Sequence, residues 1–292
     1  MNIMKKKITL IVSLIVVAVL AVTMFAACGN NDNTGSTDNS GASDVSGNDA
    51  SSEATGDNDS AKKTLTLATS ADFPPYEYME GEEYKGIDIE VAGLIAEKLG
   101  MELVVSNMDF NSILTAVPAG KADMGMAGLT VTPDREKSVD FSDSYATGVQ
   151  VLIVKEDSDI TSVDDLYDEA KGLGEGKKVG VQLSTTGDIY LSGDVADKKT
   201  KVEVKQYEQG AEAVSALSSG KIDAVLIDNE PAKSFVAANE GLKILDGEYT
   251  VEEYAIAFAK GSELKDQVNA ALKELIADGS VQKVVDKYIP AN

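Results

Sequence analysis

Two segments of this chain, residues 114–130 and 214–230, share one pattern at a spacing of 100 positions. Each contains a helix-like run, the sequence Gly-Lys-x-Asp, four mostly apolar residues and then polar residues. Gly120 and Gly220 suit the ends of helices because glycine tolerates positive φ. The apolar residues suit short buried strands. The pattern predicts two similar α/β lobes, although Gly-Lys-x-Asp could equally be ordinary punctuation between a helix and a strand.

Polar residues follow each apolar run. In open α/β sheets, ligands bind beyond the carboxyl ends of the strands. We therefore interpret Gly128-Leu129-Thr130 and Asp228-Asn229-Glu230 as candidate ligand loops, one from each lobe.

From residue 64 onward, strand-like and helix-like patterns alternate. Residues 65–67 and 103–105 resemble strands, and residues 87–99 between them have helical periodicity, so we expect a parallel sheet with helices on its faces. The alternation restarts after about residue 150. Residues 145–154 and 253–258 are strand-like and are predicted to cross between the lobes as a hinge.

Composition excludes several classes of function. The 292 residues carry a formal net charge of −23, which disfavours nucleic-acid binding because phosphate contact needs a basic face. The sequence contains no His and one Cys, so catalysis by Ser-His-Asp or Cys-His, most zinc sites and an internal disulfide are excluded. We expect no metal and no cofactor.

The N-terminus has the features of a targeting and anchoring segment. Three lysines, Lys5 to Lys7, precede an apolar stretch over residues 8–27 that ends in Phe25-Ala26-Ala27-Cys28-Gly29. This resembles a bacterial lipoprotein signal, which implies that residues 1–27 are a signal peptide and that Cys28 is lipidated. Diacylation would supply two hydrophobic anchors. The alternative is an uncleaved transmembrane helix, for which 20 residues are long enough.

A tether is predicted next, so that residues 28–63 comprise the lipidated Cys and a disordered linker. Among residues 29–63 only Val45 is a large apolar side chain, and such a segment cannot bury enough surface to offset chain entropy. Its typical reach is roughly 30–35 Å. We therefore expect a globular receptor attached by lipid to the cell membrane on its extracytoplasmic face.

Short motifs spread over residues 64–292 carry a resemblance to a known family. They are Ala68-Thr69-Ser70-Ala71-Asp72-Phe73-Pro74-Pro75-Tyr76-Glu77-Tyr78, Gly86-Ile87-Asp88-Ile89-Glu90, Met108-Asp109-Phe110, Ala127-Gly128-Leu129-Thr130-Val131-Thr132-Pro133-Asp134-Arg135, Val139-Asp140-Phe141-Ser142, Gly180-Val181-Gln182, Thr185-Thr186-Gly187, Asp228-Asn229-Glu230-Pro231 and Glu253-Tyr254-Ala255-Ile256. In number and order they resemble the polar amino-acid-binding proteins of bacterial ABC importers, a solute-binding family that includes glutamine-binding proteins.

The resemblance implies an α/β, two-lobed type II periplasmic-binding-protein fold with a two-strand hinge and a ligand cleft. We assign residues 64–148 and 252–292 to the first lobe and residues 149–251 to the second. The expected partners are a free amino acid, polar in side chain, and an ABC permease in the membrane. The resemblance also implies a monomer.

Two charged residues could bind the two charged groups of an amino acid. Arg135 offers a planar fork for the carboxylate, and Asp228 offers the opposite charge for the ammonium. Without the resemblance, Arg135 would be interpreted as a solvated surface charge and Asp228 as a helix N-cap. The resemblance supports ligand contact for both.

The resemblance further implies that Thr130, the Gly128 carbonyl, Thr185 and Thr186 complete the hydrogen bonds to the ligand. It also implies roles for residues around the ligand side chain. Phe73 and Phe110 resemble aromatic walls, with core packing as the alternative, and Tyr76 is a further candidate. Ser70 and Gln182 align where some glutamine-binding relatives carry Asp and Lys, so a polar or small side chain is expected.

The leading hypothesis is a receptor without catalytic activity that delivers an amino acid to an ABC importer. The alternative is an extracytoplasmic enzyme that resembles the cyclohexadienyl dehydratases. That chemistry needs a general acid at the ligand, and we expect no paired carboxylates in the cleft loops. Glu77 is interpreted as a structural loop residue, and Asp164 and Asp165 as solvated helix ends.

Overall fold

A computed structural model describes residues 63–167 and 175–290, all of which belong to one compact unit. The predicted signal peptide, Cys28 and nearly all of the predicted tether lie outside these residues. Within the two described ranges, no helix has the length and apolarity needed to cross a membrane.

The elements alternate along the chain much as predicted. The strands are β1 (Thr64–Thr69), β2 (Asp72–Phe73), β3 (Glu77–Glu80), β4 (Glu83–Lys85), β5 (Glu102–Asn107), β6 (Met124–Gly125), β7 (Val139–Lys155), β8 (Lys178–Gln182), β9 (Glu203–Tyr207), β10 (Ala224–Asp228), β11 (Leu242–Ile244) and β12 (Thr250–Ala259). The helices are α1 (Ile87–Lys98), α2 (Phe110–Ala116), α3 (Thr186–Ala196), α4 (Gly210–Ser218), α5 (Asn229–Ala238), α6 (Glu263–Ala277) and α7 (Ser280–Tyr288), with 3-10 helices at Arg135–Lys137 and Val163–Leu166.

One sheet runs through both lobes in the order β5-β1-β6-β12-β7-β10-β8-β9, with β11 paired to β7. The first lobe contributes β5, β1 and β6, and the second contributes β10, β8 and β9, with parallel pairing inside each lobe. The long strands β7 and β12 pair antiparallel between them. The two-lobed fold with a two-strand hinge is therefore confirmed. The predicted lobe boundaries fall within β7 and β12 and stay a prediction.

The repeated segments flank the hinge symmetrically, since β6 pairs with β12 and β10 pairs with β7. The shared Asp explains the repeat. Asp123 donates its N–H to the carbonyl of Thr66 in β1 and accepts the N–H of Thr66 at 2.7 Å. Asp223 makes the same two bonds with Lys178 in β8, where the accepted bond is 2.8 Å. Each Asp thus ties the strand of the repeat to the start of its parallel neighbour.

Gly120 and Gly220 have φ of 69° and 73°, as the helix-end interpretation requires. Each lies where a helix turns back toward its strand, and the following Lys N–H bonds a carbonyl five residues earlier. The Gly-Lys-x-Asp sequence therefore ends a helix before a strand, and it makes the same local structure once in each lobe.

One local prediction needs correction. Asp165, which we expected to be solvated, is fully buried and accepts the N–H of Thr161 at 2.8 Å and of Ser162 at 3.2 Å. Ser162 and Asp165 form a capping box, so the carboxylate satisfies backbone donors at the start of a 3-10 helix.

Candidate functional site

A cleft lies between the lobes beside the hinge. Ten of the predicted site residues line it, namely Ser70, Phe73, Gly128, Thr130, Arg135, Phe110, Gln182, Thr185, Thr186 and Asp228. Three further residues, Asp72, Glu77 and Ala127, complete its walls. The structure therefore brings together loops that are more than 150 positions apart in sequence.

Tyr76 does not line this cleft. It is buried, and its ring meets the ring of Tyr254 edge-on at 5.2 Å between centroids. Tyr76 also stacks on Phe73 at 6.1 Å, so it supports a wall of the cleft from behind.

Arg135 is 6% exposed, which overturns the interpretation of a solvated surface charge. Its Nη1 donates to the Thr130 carbonyl at 2.8 Å, and its Nη2 donates across the cleft to the Ser184 carbonyl at 3.1 Å. Burial lowers the pKa of Arg135, which desolvation of a cation explains. Its Nε has no hydrogen-bond partner among the described residues, so one donor remains for a ligand.

Phe110 lies against the Arg135 guanidinium, 5.5 Å from the ring centroid to Cζ. At this distance the guanidinium and the ring make a favourable cation–π interaction. Phe73 and Phe110 are both almost fully buried and join the apolar clusters of the lobe, so each serves the core and the cleft wall together.

Asp228 ends β10 and occupies the N-cap position of α5, but its carboxylate makes no capping bond. The side chain turns to the hinge instead, where Oδ2 accepts from Gln150 Nε2 at 2.6 Å and Oδ1 accepts from the Tyr254 hydroxyl. Burial raises the pKa of Asp228 to about 7, against the lowering effect of the Tyr254 hydrogen bond. A cation bound beside this buried carboxylate would stabilise its ionised form.

Three polar residues sit at the start of α3 and just before it. Thr185 is the N-cap residue, and its Oγ1 accepts the N–H of Asp188 at 3.4 Å. Thr186 donates its hydroxyl to Glu252 at 2.9 Å. Gln182 donates to the Glu208 carbonyl at 3.1 Å, which holds its amide at the edge of the cleft.

Gly128 adopts a φ of 53°, and its backbone is held in place by the Asp88 carboxylate. Oδ2 of Asp88 accepts the Gly128 N–H at 3.0 Å, and Oδ1 accepts the Tyr145 hydroxyl at 2.7 Å. This fixes the peptide of the first candidate loop. Burial raises the pKa of Asp88 to about 6.

The expectation that the cleft loops hold no paired carboxylates is wrong, because Glu77 lines the cleft and interacts with Asp88. Both Glu77 oxygens are buried without a hydrogen bond of normal geometry to the described residues. Burial raises the pKa of Glu77 well above its ordinary range, and the charge of Asp88 raises it further. Burial and the neighbouring Asp88 carboxylate thus both favour the protonated form of Glu77.

Asp72 is a second carboxylate that the sequence pattern did not single out. Its Oδ1 accepts the Ser70 hydroxyl at 3.0 Å, and its Oδ2 is buried with no hydrogen-bond partner in the described part of the chain. Burial raises the pKa of Asp72 to about 6. The small sheet β2-β3-β4, which has no clear signal in the sequence, places Asp72 and Glu77 near each other.

Glu252 in β12 is the other residue that sequence reasoning missed. Its Oε2 accepts from Thr130 at 3.1 Å, Thr186 at 2.9 Å and Gln150 at 3.2 Å. A signal was present in the alternation of β12, where Val251 faces solvent and Glu252 faces inward. Within residues 63–167 and 175–290, no cluster of three acidic or Cys side chains could hold a metal ion.

Comparison with known proteins relates the whole folded part to one family. The model described as "Bacterial extracellular solute-binding proteins, family 3" matches residues 65–291. The arginine-binding extracellular protein ArtP of Bacillus subtilis is 36% identical over 241 residues, which cover 79% of this chain and 88% of that protein. The ABC transporter glutamine-binding protein GlnH of the same organism is 32% identical over 289 residues, covering 96% of this chain and 97% of that protein.

A solved structure agrees with these relatives. An ancestral arginine-binding protein bound to arginine is 39% identical, with a TM-score of 0.71. The match covers 78% of this chain and 99% of that protein.

Proposed function

Because the chain belongs to the bacterial extracellular solute-binding proteins of family 3, we propose that it binds a free amino acid between its lobes and delivers it to an ABC importer. One observation carries this proposal. Arg135 of the first lobe and Asp228 of the second are both buried at the same cleft, with opposite charges. An amino acid presents a carboxylate and an ammonium on one carbon, and these two side chains match them.

The clamp would work by bridging the lobes. The ligand carboxylate accepts from Arg135, which keeps an unpartnered Nε, and from backbone N–H groups at the start of α3, because the hydroxyls of Thr130 and Thr186 already donate to Glu252. The ammonium donates to Asp228 and to the Gly128 carbonyl. Since the groups come from both lobes, a bound ligand favours the closed form, which is the form a permease would recognise.

We infer further that the ligand side chain is cationic. Beyond Asp228, the cleft holds Asp72, whose Oδ2 has no partner in the described part, and the buried Glu77. A guanidinium or ammonium at this end would supply the missing donors and offset the cost of burying Asp72. Two similar proteins are arginine-binding proteins, which agrees with this class.

Isothermal titration tests both statements. The purified protein, stripped of carried-over ligand by unfolding and refolding, is titrated with the twenty amino acids, ornithine and cystine. Micromolar or tighter binding of arginine, lysine or ornithine supports the full proposal. Binding of a neutral amino acid alone rejects the cationic class, and binding of none rejects the amino-acid receptor.

The family is extracellular, so the folded part lies outside the cytoplasm. We propose that Cys28 carries the lipid anchor, that residues 29–63 tether a monomeric receptor to the membrane, and that residues 1–27 are removed. Cys28→Ser should move the protein from the membrane fraction to the soluble fraction. A variant that stays in the membrane would instead indicate that residues 8–27 remain as a transmembrane helix.

Glu77 lines the cleft with a pKa that burial raises, and this favours a dehydratase-like enzyme, which needs a general acid at the ligand. We propose a receptor without catalysis, because Glu77 faces the Asp88 carboxylate that supports Gly128 and so has a structural task. Incubation with a cyclohexadienyl acid should yield no aromatic product by ultraviolet absorbance. Formation of that product, and its loss in Glu77→Gln, would establish the enzyme instead.

A further inference from the structure

Glu252 occupies a position where a charged side chain is costly. In β12 the alternation buries Glu252 at 5% exposure while its apolar neighbour Val251 is 57% exposed. Burial normally favours the opposite arrangement of Val and Glu. Departures of this kind, from the local rule that apolar residues face inward, are expected where a side chain has a task.

One carboxylate oxygen of Glu252 collects donors from three parts of the fold. Thr130 belongs to the loop after β6 in the first lobe, Thr186 opens α3 in the second, and Gln150 lies in the hinge strand β7. A motion of the lobes that moves Thr130 away from Thr186 cannot keep both hydroxyls on the same oxygen atom. Opening the cleft therefore breaks at least one charge-assisted hydrogen bond.

The charge of Glu252 also acts on both ends of the clamp. It opposes the lowering of the Arg135 pKa by burial and so favours the ionised guanidinium. It also raises the pKa of Asp228, to which burial is the larger contributor. Tyr190 of α3 feels the same carboxylate, since Glu252 raises its pKa in addition to burial.

We propose that Glu252 is a positioning residue that latches the two lobes together, holding Thr130 and Thr186 in the closed form so that ligand binding and lobe closure are coupled. This inference rests on the proposed function, but closure can be observed without any ligand. Glu252→Gln keeps the size of the side chain and removes its charge. Glu253→Gln is the matched control, because the adjacent glutamate is exposed on the opposite side of β12.

Hydrogen–deuterium exchange on the purified full chain, without added ligand, provides the direct test. In Glu252→Gln, peptides that cover residues 128–135 and 183–188 should exchange faster than in the wild type and in Glu253→Gln. Unchanged exchange in both segments would overturn the latch, whatever the binding data show. If Glu252→Gln does not unfold cooperatively, Thr186→Val must show the same local effect, and its failure to do so overturns the latch equally.

L-arginine titration adds a readout that a merely structural role would not move. Affinity in Glu252→Gln should fall about tenfold, the size expected for a lost charge-assisted bond. The affinity of Glu252→Gln for L-arginine should also be lost at a lower pH than that of the wild type. Without the negative charge of Glu252 beside it, Asp228 ionises more readily. If wild type binds no L-arginine, the cationic class fails while the exchange experiment still decides the latch.

Discussion

The side-chain amide of Gln150 donates a 2.6 Å hydrogen bond to Asp228, joining the hinge strand β7 to the end of β10. Tyr254 of β12 donates to the other oxygen of the same carboxylate. Both hinge strands therefore hold the group that we propose for the ligand ammonium. Even so, burial dominates and raises the pKa of Asp228 to about 7.

This relationship predicts opposite pH dependences for binding and for stability. A ligand ammonium favours ionised Asp228, so below pH 7 binding requires loss of a proton and affinity should fall by up to about tenfold per pH unit. The pKa of Asp72, about 6, deepens the loss for a cationic side chain. Titrations from pH 8 to pH 5 measure this, and pH-independent affinity would contradict it.

Stability of the free protein should show the reverse slope. The folded pKa of Asp228 lies above its unfolded value of 3.8, so between about pH 4 and pH 7 the native state binds more protons. This contribution is complete below pH 3.8 and is lost as pH rises through 7. In the wild type the melting temperature, Tm, should fall as pH rises from about 4 to 7, and in Asp228→Asn it should fall less. An unchanged dependence of Tm on pH would show that Asp228 ionises normally.

Arg135→Ala should abolish amino-acid binding and leave a folded protein. Removing one partner of a buried charge pair costs about 3–5 kcal/mol, which is roughly 10² to 10³ or more in affinity. Arg135→Lys is the matched control: it keeps the charge but loses the planar fork, so it should bind with intermediate affinity. Calorimetric affinity within about threefold of wild type in Arg135→Ala would reject the clamp.

Much of the fold could be predicted because its signals are local. Ile87, Val91 and Ile95 recur at helical spacing, and α1 buries all three. The two Gly-Lys-x-Asp segments marked equivalent places in the lobes, and their glycines adopt positive φ. Arg135 and Asp228 were assigned because the family resemblance implied a free amino acid, which requires both charges, and the structure places both in the cleft.

The missed residues depend on contacts that are remote in sequence. Glu252 accepts hydrogen bonds from Thr130, 122 positions away, and from Thr186, 66 positions away, and no local pattern shows these contacts. Asp72 and Glu77 lie in two- to four-residue strands that are too short for any periodicity to show. Asp165 was predicted to be solvated because a carboxylate normally lies at the surface. It is buried because it forms a capping box with Ser162.

Gly148 should not tolerate a side chain, because the hinge packs a tyrosine against it. A Cβ at Gly148 would lie 2.4 Å from the ring of Tyr254. Gly148→Ala must displace Tyr254, at a cost of about 1–3 kcal/mol in the free energy of unfolding. Gly93→Ala in α1 is the control, because a Cβ there would meet nothing within 4 Å beyond its chain neighbours and the local helix backbone. It should stabilise the protein by about 0.5–1 kcal/mol. Urea unfolding distinguishes the two, and equal effects would contradict the packing account.

Asp72→Asn should change which amino acids bind rather than whether any bind. The substitution keeps the hydrogen-bonding shape beside Ser70 but removes the charge that we propose for a cationic side chain. Charge-assisted hydrogen bonds contribute about 1.5–3 kcal/mol, so affinity for arginine should fall roughly 10- to 150-fold while affinity for glutamine changes little. Asp157→Asn removes the same charge at an exposed position outside the cleft and should leave both affinities unchanged. A parallel loss of arginine and glutamine binding in Asp72→Asn would mean that Asp72 supports the cleft wall and does not select the side chain, and the ligand charge would then have to be set by Glu77 or by residues outside the cleft.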